Sequence, residues 1–189
     1  MEQLTYNNYN LHNNQKYAIQ QSINNDFETG IHYHATGTGK SWTAMMILLE
    51  YHIRYKKNNI FWICERKDIL QQQFNSNELK NRNFTKILKS FNVLDFTNYK
   101  LENWYNSINS SIFWNKPFLC IINRAFLTSQ NKYKKIKLPI HLVIHDECHS
   151  VENKTTNDFY KWLLEINNKT SKIIGFSATP EMIFPFENV

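Results

Sequence analysis

A chain of 189 residues that is 42% hydrophobic and 15% aromatic can bury one good-sized core and is too apolar to be disordered. Its net charge of +6 suits a polyanionic partner without identifying one. Three cysteines without a C-x-x-C exclude a disulfide framework and a cysteine zinc site, so Cys64, Cys120 and Cys148 read as core thiols of an intracellular, soluble protein.

The opening MEQLTYNNYN lacks the positive-then-apolar pattern of an export signal. No apolar run approaches the length of a membrane span, so no membrane partner is expected. Residues 11–23 form a helical segment with Leu11, Ala18, Ile19 and Ile23 on one stripe. A strand is expected at 31–34, then a Gly-containing turn, then a helix from 40 to about 57. Ile60 to Cys64 is a continuous apolar run, as in a strand buried on both faces. Helices are expected at 67–74 and 85–91 and a brief strand at 93–96, while the Asn- and Ser-rich stretch 97–116 carries only helical hints. Two further strands fall at 118–122 and 140–145, separated by a charged surface connector at 132–137. An amphipathic helix at 158–166 and a last strand at 172–176 complete the alternation. That alternation predicts one α/β domain over 1–189 with a largely parallel sheet.

The turn is HATGTGKS, His34 to Ser41. Gly37 and Gly39 let the backbone pass close to a polyphosphate with its N–H groups aimed inward. The start of the following helix adds unpaired donors and a dipole of the right sign. Lys40 would reach the β- and γ-phosphates and the Ser41 hydroxyl would ligate Mg²⁺. The plain alternative is a Gly-rich turn ahead of a helix.

Asp146-Glu147-Cys148-His149 follows the strand at 140–145, so its acids emerge at a carboxyl strand end. That is the sheet edge where ligands bind in open α/β folds, and the edge of the 34–41 loop. Asp146 would hold Mg²⁺, and Glu147 would orient and deprotonate an attacking water. Ser177-Ala178-Thr179 occupies the next strand-end loop.

ATGTGKS at 35–41, DECH at 146–149 and SAT at 177–179, in this order, resemble motifs I, II and III of superfamily 2 helicases. The form of the first, with a free residue at His34, is similar to the branch holding type I and type III restriction motor subunits and related DNA and RNA translocases. The resemblance implies a RecA-like P-loop NTPase lobe with helices on both faces of its sheet. It implies ATP and Mg²⁺ as cofactors, held by Ala35, Thr36, Gly37, Thr38, Gly39, Lys40 and Ser41, with Asp146 on the metal and Lys40 and Glu147 catalytic. It implies that Ser177 and Thr179 couple nucleotide state to a second lobe and that His149 contacts the linker region.

Two weaker matches belong with it. LHNNQKYAI at 11–19 resembles an upstream pattern whose glutamine, here Gln15, reads adenine; without the family Gln15 is equally an exposed helix glutamine. ICERKDILQQQF at 63–74 resembles motif Ia, where Arg66 would contact a nucleic-acid backbone or, equally, cap the following helix.

His141, His145 and His149 recur every fourth residue, but on a strand His141 and His145 stand about 13 Å apart at roughly 3.3 Å per residue, too far for one ion. The resemblance spans 11–180 and stops after motif III, so the second RecA-like lobe with its arginine finger must come in cis or in trans. The expected function is the ATP-binding lobe of a helicase or translocase acting on DNA or RNA. The alternative is a lone lobe that serves as a binding module for nucleic acid or protein.

Overall fold

The computed structural model describes residues 5–56, 59–65, 89, 91–96, 104–110, 117–148 and 154–179. The helix expected at 67–74, nearly all of that at 85–91, and the candidate residues Arg66 and His149 lie outside them.

After a 3₁₀ turn at Tyr6–Asn8, α1 runs Asn13–Asn24 and β1 Gly30–Tyr33. The long α2, Lys40–Tyr55, opens directly on the Gly-containing turn and buries every residue from Trp42 to Tyr51. Strand β2 is Ile60–Cys64, buried throughout, and β3 is Asn92–Asp95. A short α3, Trp104–Ser110, gives the polar stretch its one described helix. Strand β4, Phe118–Asn123, leads into α4, Arg124–Thr128, where the Asn123 side chain accepts from the Phe126 N–H as an N-cap. Strand β5 is Leu142–Asp146, α5 is Lys154–Ile166 and β6 is Lys172–Ser177.

The six strands form one sheet in the order β1-β6-β5-β2-β4-β3, every neighbouring pair parallel. Strand alternation divides the core. Ile60, Trp62 and Cys64 of β2 face a cluster built with α1 and α2, whereas Phe61 and Ile63 face one built with α3, α4 and α5. Helices therefore cover both faces, and the carboxyl ends of all the strands gather along one edge.

Helix α5 starts at Lys154, four residues ahead of the expected 158, and two further departures have a visible cause. Strand β5 starts at Leu142 rather than 140, because Asn59 takes up the preceding residue: its N–H donates to His141 Nδ1 (3.0 Å) and its carbonyl accepts from the His141 N–H (2.8 Å). The expected surface connector at 132–137 begins in 3₁₀ turns: Ser129–Lys135 is helical except at a kink, where Gln130 and Asn131 have φ of +53° and +52°, and it buries Tyr133. Ile136, the extended residue that caps the last turn with its N–H on the Tyr133 carbonyl, is also buried, while Lys134, Lys135 and Lys137 are exposed. No helix among the described residues is long and apolar enough to cross a membrane.

Candidate functional site

The Gly-containing turn is fixed from both ends and from within. At its start the His34 N–H donates to the Ser177 carbonyl (3.0 Å), extending the β1–β6 ladder by one step. Within it, Thr38 closes on Ala35: its hydroxyl donates to the Ala35 carbonyl at 2.7 Å and its N–H to the same oxygen at 3.3 Å. Gly37 and Gly39 have φ of +82° and +78°, a region that side chains resist. Gly39 is the N-cap of α2 in that left-handed conformation, so the first N–H groups of α2 open toward the turn.

Helix α2 thus delivers Lys40 and Ser41 to the sheet edge, where β5 delivers Asp146 and Glu147. The Lys40 ammonium lies 2.7 Å from a Glu147 carboxylate oxygen. The Ser41 hydroxyl donates to Asp146 Oδ2 at 3.1 Å. Glu147 has a φ of +57°, unusual for a residue with a side chain, so its backbone is held there by its surroundings. A hydroxyl and a carboxylate converging beside a phosphate-type loop are hard oxygen donors of the kind Mg²⁺ takes, with phosphate oxygens and waters completing its shell. Ser41 and Asp146 are the two residues that would hold it.

Gln15 is only 3% exposed, so it is not a solvated helix glutamine. Its Oε1 accepts from the His12 N–H at 2.9 Å, at the start of α1. Its Nε2 faces the loop, 3.4 Å from the carbonyls of both Thr38 and Gly39. Beside this contact is a cavity of about 500 Å³, lined by Asn10, His12, Asn14 and Gln15 together with Gly37, Thr38 and Gly39. Asn10, His12 and Asn14 were not singled out from the sequence; their nearness to Gln15 on the chain was the only signal.

Ser177 and Thr179 fold onto each other. The Ser177 hydroxyl donates to the Thr179 carbonyl (2.9 Å) and accepts from the Thr179 N–H (3.1 Å). Ser177 is joined to the loop through its backbone carbonyl and His34. His34 is half-buried, and burial and the nearby Lys40 ammonium hold its imidazole below the ordinary value. Beneath it, burial pulls His32 down to about 4, with the His34 ring adding to the effect. His32 is stacked on Phe176 and its Nε2 lies 2.8 Å from the Ser22 hydroxyl.

Behind the acid pair, on the opposite face of the sheet, is a polar group that no motif announced. His145, fully buried, has Nε2 3.1 Å from a Glu65 carboxylate oxygen and Nδ1 against the Tyr160 hydroxyl. The Arg124 guanidinium donates to the same Glu65 oxygen at 2.6 Å and to the Thr156 hydroxyl at 3.4 Å. Burial pushes the Glu65 carboxyl up, but the hydrogen bonds from His145 and Arg124 outweigh it and hold it below the usual range.

Residues 8–182 match the family described as "Type III restriction enzyme, res subunit". The chain belongs to that family. Among solved structures, the DUF1998 helicase MrfA superposes with a TM-score of 0.61 at 15% identity, over 91% of this chain and 27% of that one. MrfA bound to DNA and AMPPNP gives 0.62 at 15% identity, over 89% and 24%. A nuclease-deletion mutant of the Type ISP restriction-modification enzyme LlaGI, in complex with a DNA substrate mimic, gives 0.59 at 15% identity, over 93% and 18%. At such identity the likeness is one of fold. The chain spans about a quarter or less of the length of these structures, 27%, 24% and 18%. No curated protein sequence matches it. Family and fold together make the chain a superfamily 2 helicase or translocase lobe of RecA-like α/β type, with an all-parallel six-stranded sheet.

Proposed function

We propose that this res-family lobe binds Mg–ATP at residues 35–41 and hydrolyses it to drive movement on DNA or RNA. A second RecA-like lobe, in cis or in trans, would complete the machine. The observation that carries this is the double convergence of α2 on β5: Lys40 on Glu147 at 2.7 Å and Ser41 on Asp146 at 3.1 Å. A helix start and a strand end brought together by chance would not match a cation with one acid and a hydroxyl with the next.

In the proposed reaction the N–H groups of 37–41 and the Lys40 ammonium hold the β- and γ-phosphates. Ser41 and Asp146 would hold Mg²⁺, which when bound would neutralise charge on the phosphate oxygens. Glu147 takes the proton of the attacking water as its oxygen bonds to the γ-phosphorus and the bond to the departing diphosphate breaks. The cavity beside Gln15 receives the adenine. Ser177 and Thr179, with His149, report nucleotide state to the second lobe, and Arg66 contacts the nucleic-acid backbone. DNA in the MrfA and LlaGI structures supports, for this chain, a nucleic-acid track. Positive charge on the chain suits such a partner through salt-sensitive phosphate contacts.

The test is titration of the purified chain with a fluorescent ATP analogue and Mg²⁺, wild type beside Lys40→Ala and Glu147→Gln. Binding by wild type and Glu147→Gln but not Lys40→Ala supports the proposal. Identical behaviour of all three removes the loop as an ATP site and leaves a lobe that serves as a docking platform.

A further inference from the structure

Glu65, Arg124, His145, Thr156 and Tyr160 form a closed ring. Glu65 follows the end of β2, Arg124 begins α4 at the end of β4, and His145 is the penultimate residue of β5. Glu65 accepts from His145 and Arg124 on one carboxylate oxygen, at 3.1 and 2.6 Å. His145 continues to Tyr160, Arg124 continues to Thr156, and Thr156 and Tyr160 are four apart on one face of α5. The circuit runs Glu65, His145, Tyr160, one turn of α5, Thr156, Arg124 and back to Glu65. Asn123 adds a strut, its Nδ2 donating to the Glu65 carbonyl at 2.8 Å.

One side of the ring is sealed from solvent, while Glu65 and Arg124 keep 13% and 16% exposure. His145 and Tyr160 are 0% exposed and Thr156 is 1% exposed. Each ring nitrogen of His145 faces one partner, Nε2 the Glu65 carboxylate and Nδ1 the Tyr160 hydroxyl. Both ring nitrogens are therefore committed, and the imidazole cannot turn without stranding a buried partner.

The geometry points to Glu65 as a positioning residue for the Asp146–Glu147 pair: it fixes His145, and through the strand backbone the two acids that follow it. The inference rests on the Mg–ATP assignment of Ser41 and Asp146. Successive strand residues point to opposite faces, so anchoring residue 145 on one face sets where residue 146 emerges on the other. It also braces the positive-φ backbone of Glu147, one residue beyond the strand. The carboxylate is the hub because one of its oxygens accepts from a side chain at the end of β5 and from another at the end of β4, on top of the backbone ladders that already pair Cys64 with Asp146 and Asn123. The hydrogen bonds that close the ring run among the ends of β2, β4 and β5 and α5, and the loop at 35–41 meets this part of the sheet through Asp146 and Glu147, the two residues after His145.

That link supplies the test. The affinity of the purified chain for a fluorescent ATP analogue is measured in Mg²⁺ and in EDTA, for wild type, Glu65→Ala, Glu65→Gln and Tyr160→Phe, with thermal melting alongside. The expected result is a Glu65→Ala protein whose enhancement by Mg²⁺ shrinks about tenfold, the scale seen when outer partners of metal ligands are lost, while its EDTA affinity shifts by no more than about threefold, the reach of the Lys40–Glu147 pair. Glu65→Gln, which keeps an oxygen in place, falls between. Equal loss in both buffers, or an unchanged Mg²⁺ enhancement, overturns the inference. A wild type with no Mg²⁺ enhancement overturns instead the metal assignment on which it rests. Should Glu65→Ala fail to melt cooperatively, Tyr160→Phe, which deletes one hydroxyl from the ring, decides on the same ratio.

Discussion

The Lys40 ammonium and the Glu147 carboxylate stand 2.7 Å apart, with the lysine 7% and the glutamate 29% exposed. The cation that would grip the phosphates is thus already held by the acid that would take the water's proton. A nucleotide must compete for it. Glu147→Gln removes both the competitor and a negative charge facing the phosphates. It is expected to bind ATP about threefold more tightly than wild type while losing turnover, since a partly exposed ion pair contributes at most about 1 kcal/mol. Parallel titration and phosphate-release measurements check this, and weaker binding by Glu147→Gln would sink it.

The two glycines of the loop differ in what surrounds them. A Cβ on Gly39 would lie 2.5 Å from Gln15 Nε2, whereas one on Gly37 would meet nothing within 4 Å. Both substitutions strain a positive φ, at a cost of about 1 kcal/mol. Gly39→Ala must in addition displace Gln15. It is expected to weaken nucleotide binding well beyond Gly37→Ala, with a lower melting temperature. Similar affinities for the two variants would show that the cavity wall is not needed.

A double substitution isolates that contact. Gln15→Ala removes the atoms a Cβ at Gly39 would strike, so in the Gly39→Ala background part of the lost thermal stability should return. In the wild-type background Gln15→Ala should leave the affinity for inorganic triphosphate unchanged while narrowing the preference for ATP over GTP. The 3.4 Å contacts from Gln15 to the loop are too long to hold it in place, so most of the effect should fall on the base. Strict additivity of the two changes in stability would count against direct contact.

His32 gives the chain an acid-sensitive step. Its folded value, about 4, lies below the ordinary 6.5, because burial and His34 disfavour the charged ring. Between those values the unfolded chain takes up a proton that the folded chain refuses. The contribution is therefore whole above pH 6.5 and is lost progressively as pH falls toward 4. His32→Gln, which retains a partner for Ser22, should flatten the change in urea midpoint between pH 7 and pH 5. A midpoint that falls as steeply as in wild type would place the acid sensitivity elsewhere.

Much of this was legible because it is local. The run Ile60 to Cys64 announced a strand buried on both faces, and the strand-turn-helix context of 31–57 located the loop to within a residue or two. Both depend on neighbours in sequence. The ring around Glu65 was not legible, because its bonds join residues 59 and 80 positions apart and no periodicity links them. His145 shows the difficulty: within a strand its sequence neighbours point to the other face, so its partners had to come from β2 and α5. The 3₁₀ turns within Ser129–Lys135 were concealed by their lysines, which surround the single buried side chain of Tyr133.

Among the described residues strand β1 has one neighbour in the sheet, and that neighbour is β6, the last of the six strands in sequence. Gly30 pairs with Ile174 and Tyr33 with Ser177, and the His34 N–H donates to a carbonyl of the same strand. The loop is thus encoded early and anchored late. A ribosome will have made α1, β1 and α2 well before it makes the strand that fixes where the turn begins, and closing so long a loop is slow. In a nascent chain the phosphate-type loop should therefore take shape only after residue 177 has emerged, and a fragment ending ahead of β6 would carry every residue of the loop with nothing to hold its first strand.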